Sequence, residues 1–165
     1  MFDWAHIHVM IVHLPIMGTF LAMIPLLWWL YKKDSATKWI GLIILGISLI
    51  AIPIATSSGE STEHAFYNGT ISAQLDDAGS QALEIHSEAA EMAEVFWFII
   101  FCFVALQLFL WKRNSVWKER LFIATLILNT LLMVDLSYVG YLGGKIRHPE
   151  FRTATVTAPA APVAQ

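Results

Sequence analysis

Imidazoles carry the chemistry open to this chain. Its histidines are His6, His8, His13, His64, His86 and His148. On a helical wheel of about 100° per residue, His6, Met10, His13 and Met17 form one stripe, and each of them is a ligand type for iron or copper. His8 points away from that stripe. A second stripe, His86, Ala90, Ala93 and Trp97, sets an imidazole among alanines, with Glu84, Glu88 and Glu91 on the opposite side. Alanine admits a neighbouring helix or a flat ring at close range. Axial ligation of a b-type haem needs one imidazole from each of two helices, and the spacing nominates His13 and His86. His6 with His64 would make a second, shallower site, so one or two haems are expected. His with Met suits Cu(I), while His with carboxylate suits zinc or Cu(II). A copper or zinc protein is therefore the competing reading. A scaffold subunit whose histidines are surface groups is the third.

Other residues bear on these sites. His13 lies inside an apolar run, two residues before Pro15, where an ionisable side chain is costly unless it faces the bundle interior and a partner. Asp135 is ten residues from Lys145 and His13 ten from Asp3, so the two reach a similar depth, roughly 15 Å of helix rise. Asp135 would orient an imidazole or relay protons, or else pair with a hydroxyl such as Tyr138 or Ser48. Gly140, Gly143 and Gly144 include a Gly-x-x-x-Gly pair, which permits close packing of a helix or a cofactor plane. The lone Cys102 reads as inert packing, and offers neither a disulfide nor a C-x-x-C-H haem attachment.

The elements that position these groups are membrane helices. An apolar fraction of 57%, a charged fraction of 14% and a mean hydropathy of +0.61 exceed those of ordinary soluble domains. Four stretches approach the roughly 20 residues needed to span hydrocarbon, and the sequence predicts helices over about 9–31, 39–55, 80–111 and 121–142. The expected fold is an all-α, integral membrane four-helix bundle over residues 1–150, followed by a disordered, Ala/Pro/Thr-rich tail over 151–165. Lys32, Lys33 and Lys38, then Lys112, Arg113, Lys118 and Arg120, occupy the two short connections, which the positive-inside rule makes cytoplasmic. Both termini then lie outside, with all six histidines and most acidic residues. Tryptophans flank both boundaries, Trp28, Trp29, Trp39, Trp111 and Trp117 inside, Trp4 and Trp97 outside, as an aromatic belt does. The first span has no basic n-region and no A-x-A site, so it reads as a retained helix rather than a signal peptide.

The outer segment between the second and third spans, Thr56 to Glu94, reads in two parts. Ser57 to Thr70 is expected as loop, with Asn68-Gly69 marking a turn. From Ser80, an expected N-cap, the third helix would project outward by several turns.

These residues carry a resemblance. Ile11-Val12-His13-Leu14-Pro15-Ile16, Ser58-Gly59-Glu60, His86, and Gly143-Gly144 with Ile146-Arg147-His148 resemble a bacterial four-helix membrane family of unknown function that has a Val-His-Phe-Pro-type motif in its first helix. Some of its members resemble b-type cytochromes or occur with Rieske electron-transfer domains. The resemblance spans residues 1 to about 150 and implies a redox-type membrane protein, with His13 and His86 matching the family's histidines. Leu14 stands in place of the usual aromatic, and His6-Ile7-His8 where a His-Pro pair is usual.

The expected protein is a b-type haem carrier of the bacterial inner membrane, exchanging electrons at the periplasmic face. The absence of histidines from the cytoplasmic half confines that exchange to the outer side. Quinol or a periplasmic electron carrier are the expected partners besides lipid, with a homodimer or a larger membrane complex left open. The net charge of −3 supplies no basic patch for nucleic acid, and no phosphate loop, nucleophile elbow or H-E-x-x-H helix points to an enzyme.

Overall fold

The computed structural model describes residues 4–69, 75–110 and 117–152. They form four helices, α1 (Trp4–Lys32), α2 (Ser35–Tyr67), α3 (Asp77–Phe109) and α4 (Trp117–Arg147), and a single 3-10 turn at Pro149–Phe151. All four helices are long and apolar enough to cross a membrane, so the chain is a multi-pass membrane protein. The expectations placed on Asp3, Thr70, Trp111, Lys112, Arg113 and residues 153–165 lie outside the described residues.

Two helical hairpins make the bundle, α1 with α2 and α3 with α4. The first turns in two residues. Lys33 takes a left-handed φ of 54° and its N–H reaches back to the Trp29 carbonyl at 2.7 Å. Asp34 then caps α2 by accepting from the Thr37 N–H at 2.9 Å. At that end Lys33 lies 3.9 Å from Glu119 at the start of α4. At the other end Arg152 ties α3 to α4 within the second hairpin: its Nη1 donates to both oxygens of Asp76 at 2.7 Å, while Nε and Nη2 donate to the last carbonyls of α4, those of Lys145 and Ile146. Ordered contacts thus run through Arg152, slightly beyond the expected boundary at 150.

Heptad spacing sets the packing. In α1 the inward stripe is Pro15, Gly18, Thr19, Ala22, Leu26 and Trp29, and these small and branched residues meet Leu42, Leu45 and Leu49 of α2 and Ile100, Phe122 and Leu132 of the second hairpin. Where lipid replaces water outside, such close packing and internal hydrogen bonds hold helices together. Val9, Ile24, Ile43, Ile50, Phe98, Ile127 and Val134 face outward as the apolar coat that a bilayer requires.

Three sequence expectations are corrected. The segment from Ser57 to Tyr67 is helix, not loop. Its hydroxyls are satisfied within the helix: Ser58 and Thr56 bond carbonyls three residues back, and Ser61 and Thr62 carbonyls four back. The turn falls at Asn68-Gly69 as expected, with Gly69 at φ 67°. The N-cap of α3 is Asp76, which accepts from Gly79 N–H at 2.9 Å, and not Ser80, whose hydroxyl donates to the Asp76 carbonyl. Finally, Trp29 and Trp97 do not belong to a lipid belt. Trp29 is buried against Phe122, ring centroids 4.2 Å apart, and Trp97 donates its indole N–H to the Leu49 carbonyl at 2.6 Å. That carbonyl needs a donor because the residue one turn on is Pro53, which has no N–H.

Candidate functional site

The imidazole that meets His86 is His8. Their ring centroids are 6.4 Å apart with planes at 81°. His8 Nδ1 lies 2.8 Å from the Ala55 carbonyl on α2, with Ser58 Oγ at 3.3 Å, and His86 Nδ1 lies 3.0 Å from the Val139 carbonyl on α4. A carbonyl only accepts, so Nδ1 of each ring carries the proton and the neutral imidazole keeps its lone pair on Nε2. This tautomer is the one that ligates metals through Nε2, with a backbone carbonyl as the orienting partner.

The two hairpins build this device in the same way. In each, a histidine on the first helix donates to a carbonyl on the second, and a glycine stands one turn beyond that carbonyl, Gly59 after Ala55 and Gly143 after Val139. The glycines make room for the rings: a Cβ at Gly59 would lie 3.0 Å from His8 Cε1, and one at Gly143 would lie 3.2 Å from His86 Cε1. Gly140 serves helix packing instead, against Ile16. His8, Ala55 and Val139 sit at the margins of the apolar stretches of α1, α2 and α4, whereas α3 enters this level with polar turns.

Two cavities flank the pair. The larger, about 570 Å³, opens between the hairpins and is walled by Val9, Val12, Ile16, Ile52, Leu136 and Val139, with Ala90 and Ala93 on the side of α3 and Gly140, Gly143 and Gly144 on α4. His8, His13, His86 and His148 all line it. The smaller, about 120 Å³, lies on the α2–α3 side, where both imidazoles meet Glu60, Glu63, Glu91 and Glu94. Ser87 donates to Glu63 there at 2.7 Å.

The sequence-nominated residues distribute unevenly about this site. His86 and Gly144 line the large cavity, and the His86–Ala93 stripe faces inward as expected, Ala93 being buried. His13 reaches the cavity but is exposed. Met10 and Met17 lie on the outer surface, His6 and His64 are exposed, and neither of those histidines lines the cavity. The His6–Met10–His13–Met17 stripe of α1 is thus the outward one. Asp135 Oδ2 is buried without a hydrogen-bond partner, so neither His13 nor Ser48 nor Tyr138 reaches that oxygen; Ser48 donates to the Ile44 carbonyl instead. His148 pairs with Glu150 at 2.8 Å. Cys102 is free and exposed on α3.

Among the described residues no group of three or more His, Cys, Asp or Glu converges as a metal site. Zinc and most copper centres use three or four such donors, whereas haem iron takes one or two axial ligands from the protein. Compared with known protein families, with curated proteins and with solved structures, the chain matches none.

Proposed function

We propose that the chain is a b-type haem protein of the bacterial inner membrane, exchanging electrons at its histidine-bearing, periplasmic face. The observation that carries this reading is the His8–His86 pair. An imidazole nitrogen bonds a first-row metal at about 2.0–2.1 Å and lies about 1.1 Å from its own ring centre, so two imidazoles on opposite sides of one ion have centroids roughly 6.3 Å apart. The 6.4 Å separation is close to that span, and ligation by two imidazoles does not require their ring planes to be parallel. A cavity of about 570 Å³ beside the pair falls within the roughly 300–1,000 Å³ of cofactor sites.

His8 and His86 would hold the iron, with the carbonyls of Ala55 and Val139 fixing their tautomer and Gly59 and Gly143 fixing their approach. The group itself would supply a one-electron couple. The apolar walls of α1, α2 and α4 would keep water from the group, and Glu60, Glu63, Glu91 and Glu94 would give the outer mouth an acidic rim. Quinol or a periplasmic carrier remain the fitting electron partners, since the pair lies at the margin of the apolar layer. A bare copper or zinc ion would leave the large cavity unfilled.

The test is the absorption spectrum of the purified protein, oxidised and reduced. A Soret band with sharp reduced α and β bands is expected. His8→Ala and His86→Ala should each remove the six-coordinate signature, while His13→Ala should keep it. Protein that stays colourless after haem supplementation would sink the proposal. Loss of the signature in His13→Ala but not in His8→Ala would return the ligand role to His13.

A further inference from the structure

At the opposite, lysine-bearing end of the bundle is a second cavity, about 250 Å³, lined by Ser35, Lys38, Trp39, Leu42, Gln107 and Lys118. It lies among α2, α3 and α4, far along each helix from the histidines. Two observations give it a ligand chemistry. The first is charge. Lys38 is half-buried and lies over the rings of Phe122 at 4.9 Å and Trp29 at 5.3 Å, which holds its ammonium at the cavity rather than free in water. Lys118 lines the same space, and Lys33 stands nearby over Trp29 at 4.1 Å. The carboxylates at this end are Glu119, 3.9 Å from Lys33, and Asp34, which accepts from Thr37; against them stand Lys33, Lys38 and Lys118, so the charge about the cavity is net positive.

The second is an orphaned acceptor. Gln107 is 5% exposed, and its Oε1 is buried without a partner. Its amide is not reversed. Nε2 donates to Thr125 Oγ1 at 2.7 Å and to the Phe103 carbonyl at 3.4 Å, an acceptor that an amide oxygen could not face, so Oε1 is left without either. A buried acceptor in a membrane bundle is costly, and calls for a donor.

We propose that this cavity binds the headgroup of an anionic phospholipid whose phosphodiester carries a free hydroxyl, the phosphate on Lys38 and Lys118 and the hydroxyl donating to Gln107 Oε1. The two ammonium groups match a phosphate, and the amide oxygen selects for a hydroxyl-bearing headgroup. Leu42 and the Trp39 ring border the glycerol and first acyl carbons. The inference is independent of what the histidines hold.

The experiment titrates full-length protein in detergent with short-chain phosphatidylglycerol, phosphatidylmethanol, phosphatidylcholine and inorganic phosphate, and reads thermal unfolding. Phosphatidylglycerol should protect most, phosphatidylmethanol less, and phosphatidylcholine least. Replacing both lysines, Lys38→Gln with Lys118→Gln, should weaken phosphatidylglycerol on the order of tenfold, and Gln107→Leu should erase its advantage over phosphatidylmethanol. Native mass spectrometry of the wild type with equal phosphatidylglycerol and phosphatidylcholine needs no variant, and should retain phosphatidylglycerol. Equal protection by phosphatidylcholine would overturn the site. Equal protection by phosphate alone would overturn the lipid as its source.

Discussion

Substituting Gly59 tests whether the histidine device works as its geometry says. In Gly59→Ala the new Cβ would stand 3.0 Å from His8 Cε1, against a comfortable carbon–carbon separation of about 3.5–4.0 Å. The ring must retreat by roughly 0.5 Å or more. Its Nδ1–H bond to the Ala55 carbonyl, now 2.8 Å, would then stretch past the roughly 3.2 Å limit of a good N–H···O bond. Losing that bond costs about 1 kcal/mol, and losing an orienting partner weakens metal binding by about 10–100-fold. Replacing glycine by alanine inside a helix returns about 1 kcal/mol, so the fold should keep nearly its wild-type stability while haem affinity falls at least about tenfold. Gly46→Ala is the control on the same helix. Nothing lies within 4 Å of its added Cβ, so it should gain up to about 1 kcal/mol in stability with haem affinity unchanged. Haem titration followed at the Soret band, beside thermal unfolding of the apoprotein, reads both quantities. Haem affinity in Gly59→Ala equal to that of Gly46→Ala would refute the argument that the glycine positions His8.

Three further outcomes are expected. Trp97→Phe should destabilise the bundle by about 1–3 kcal/mol by stranding the Leu49 carbonyl; because Pro53→Ala supplies the missing N–H, a double-mutant cycle read by denaturant unfolding should show coupling of about 1 kcal/mol, and strict additivity would count against it. The Arg152 guanidinium, helped by the Gly79 amide, holds the Asp76 carboxyl below its ordinary value of 3.8; a depressed folded pKa stabilises above the unfolded value and is lost as pH falls through the folded one. The melting deficit of Asp76→Asn should therefore be present near neutral pH and close in acid, and a deficit undiminished in strong acid would argue against the ion pair. For topology, in a Cys102→Ala background a cysteine at Asn68 should react with an impermeant reagent in intact cells while one at Ser35 should not; the reverse would invert the orientation proposed from the lysines.

How much of this was legible in the sequence depends on which signal each feature leaves. Helix number and approximate spans follow from runs of apolar residues, and the Asn68-Gly69 turn from a dipeptide that needs a positive φ at its glycine. The facing of α1 left no such signal. Apolar residues occupy every side of that helix, so its buried stripe differs from its lipid-facing stripe in side-chain size rather than polarity. Weighing ligand types alone therefore favoured His6, Met10 and His13. Weighing size would have favoured the stripe of Pro15, Gly18, Thr19 and Ala22, and that stripe extends back, seven residues at a time from Ala22 through Pro15, to His8. The helical course of Ser57–Tyr67 was hidden for a related reason: serine and threonine read as loop formers until the hydroxyl finds its own helix's carbonyl.

The partners of the two imidazoles were harder still to read, because they are backbone carbonyls. Every residue carries one, and nothing in the letters Ala55 or Val139 marks it as an acceptor across a hairpin. The trace that remains is in the neighbours: Gly59 and Gly143, each one turn further on, are where a ring approaches too closely for a Cβ. Pro53 works by the same logic, since a proline in a membrane helix announces an orphaned carbonyl one turn earlier and so a donor, here Trp97, on whatever packs against it. In a bundle with so few charged residues, the groups that are missing, glycine's Cβ and proline's N–H, point to the contacts between helices more directly than the histidines' own spacing does.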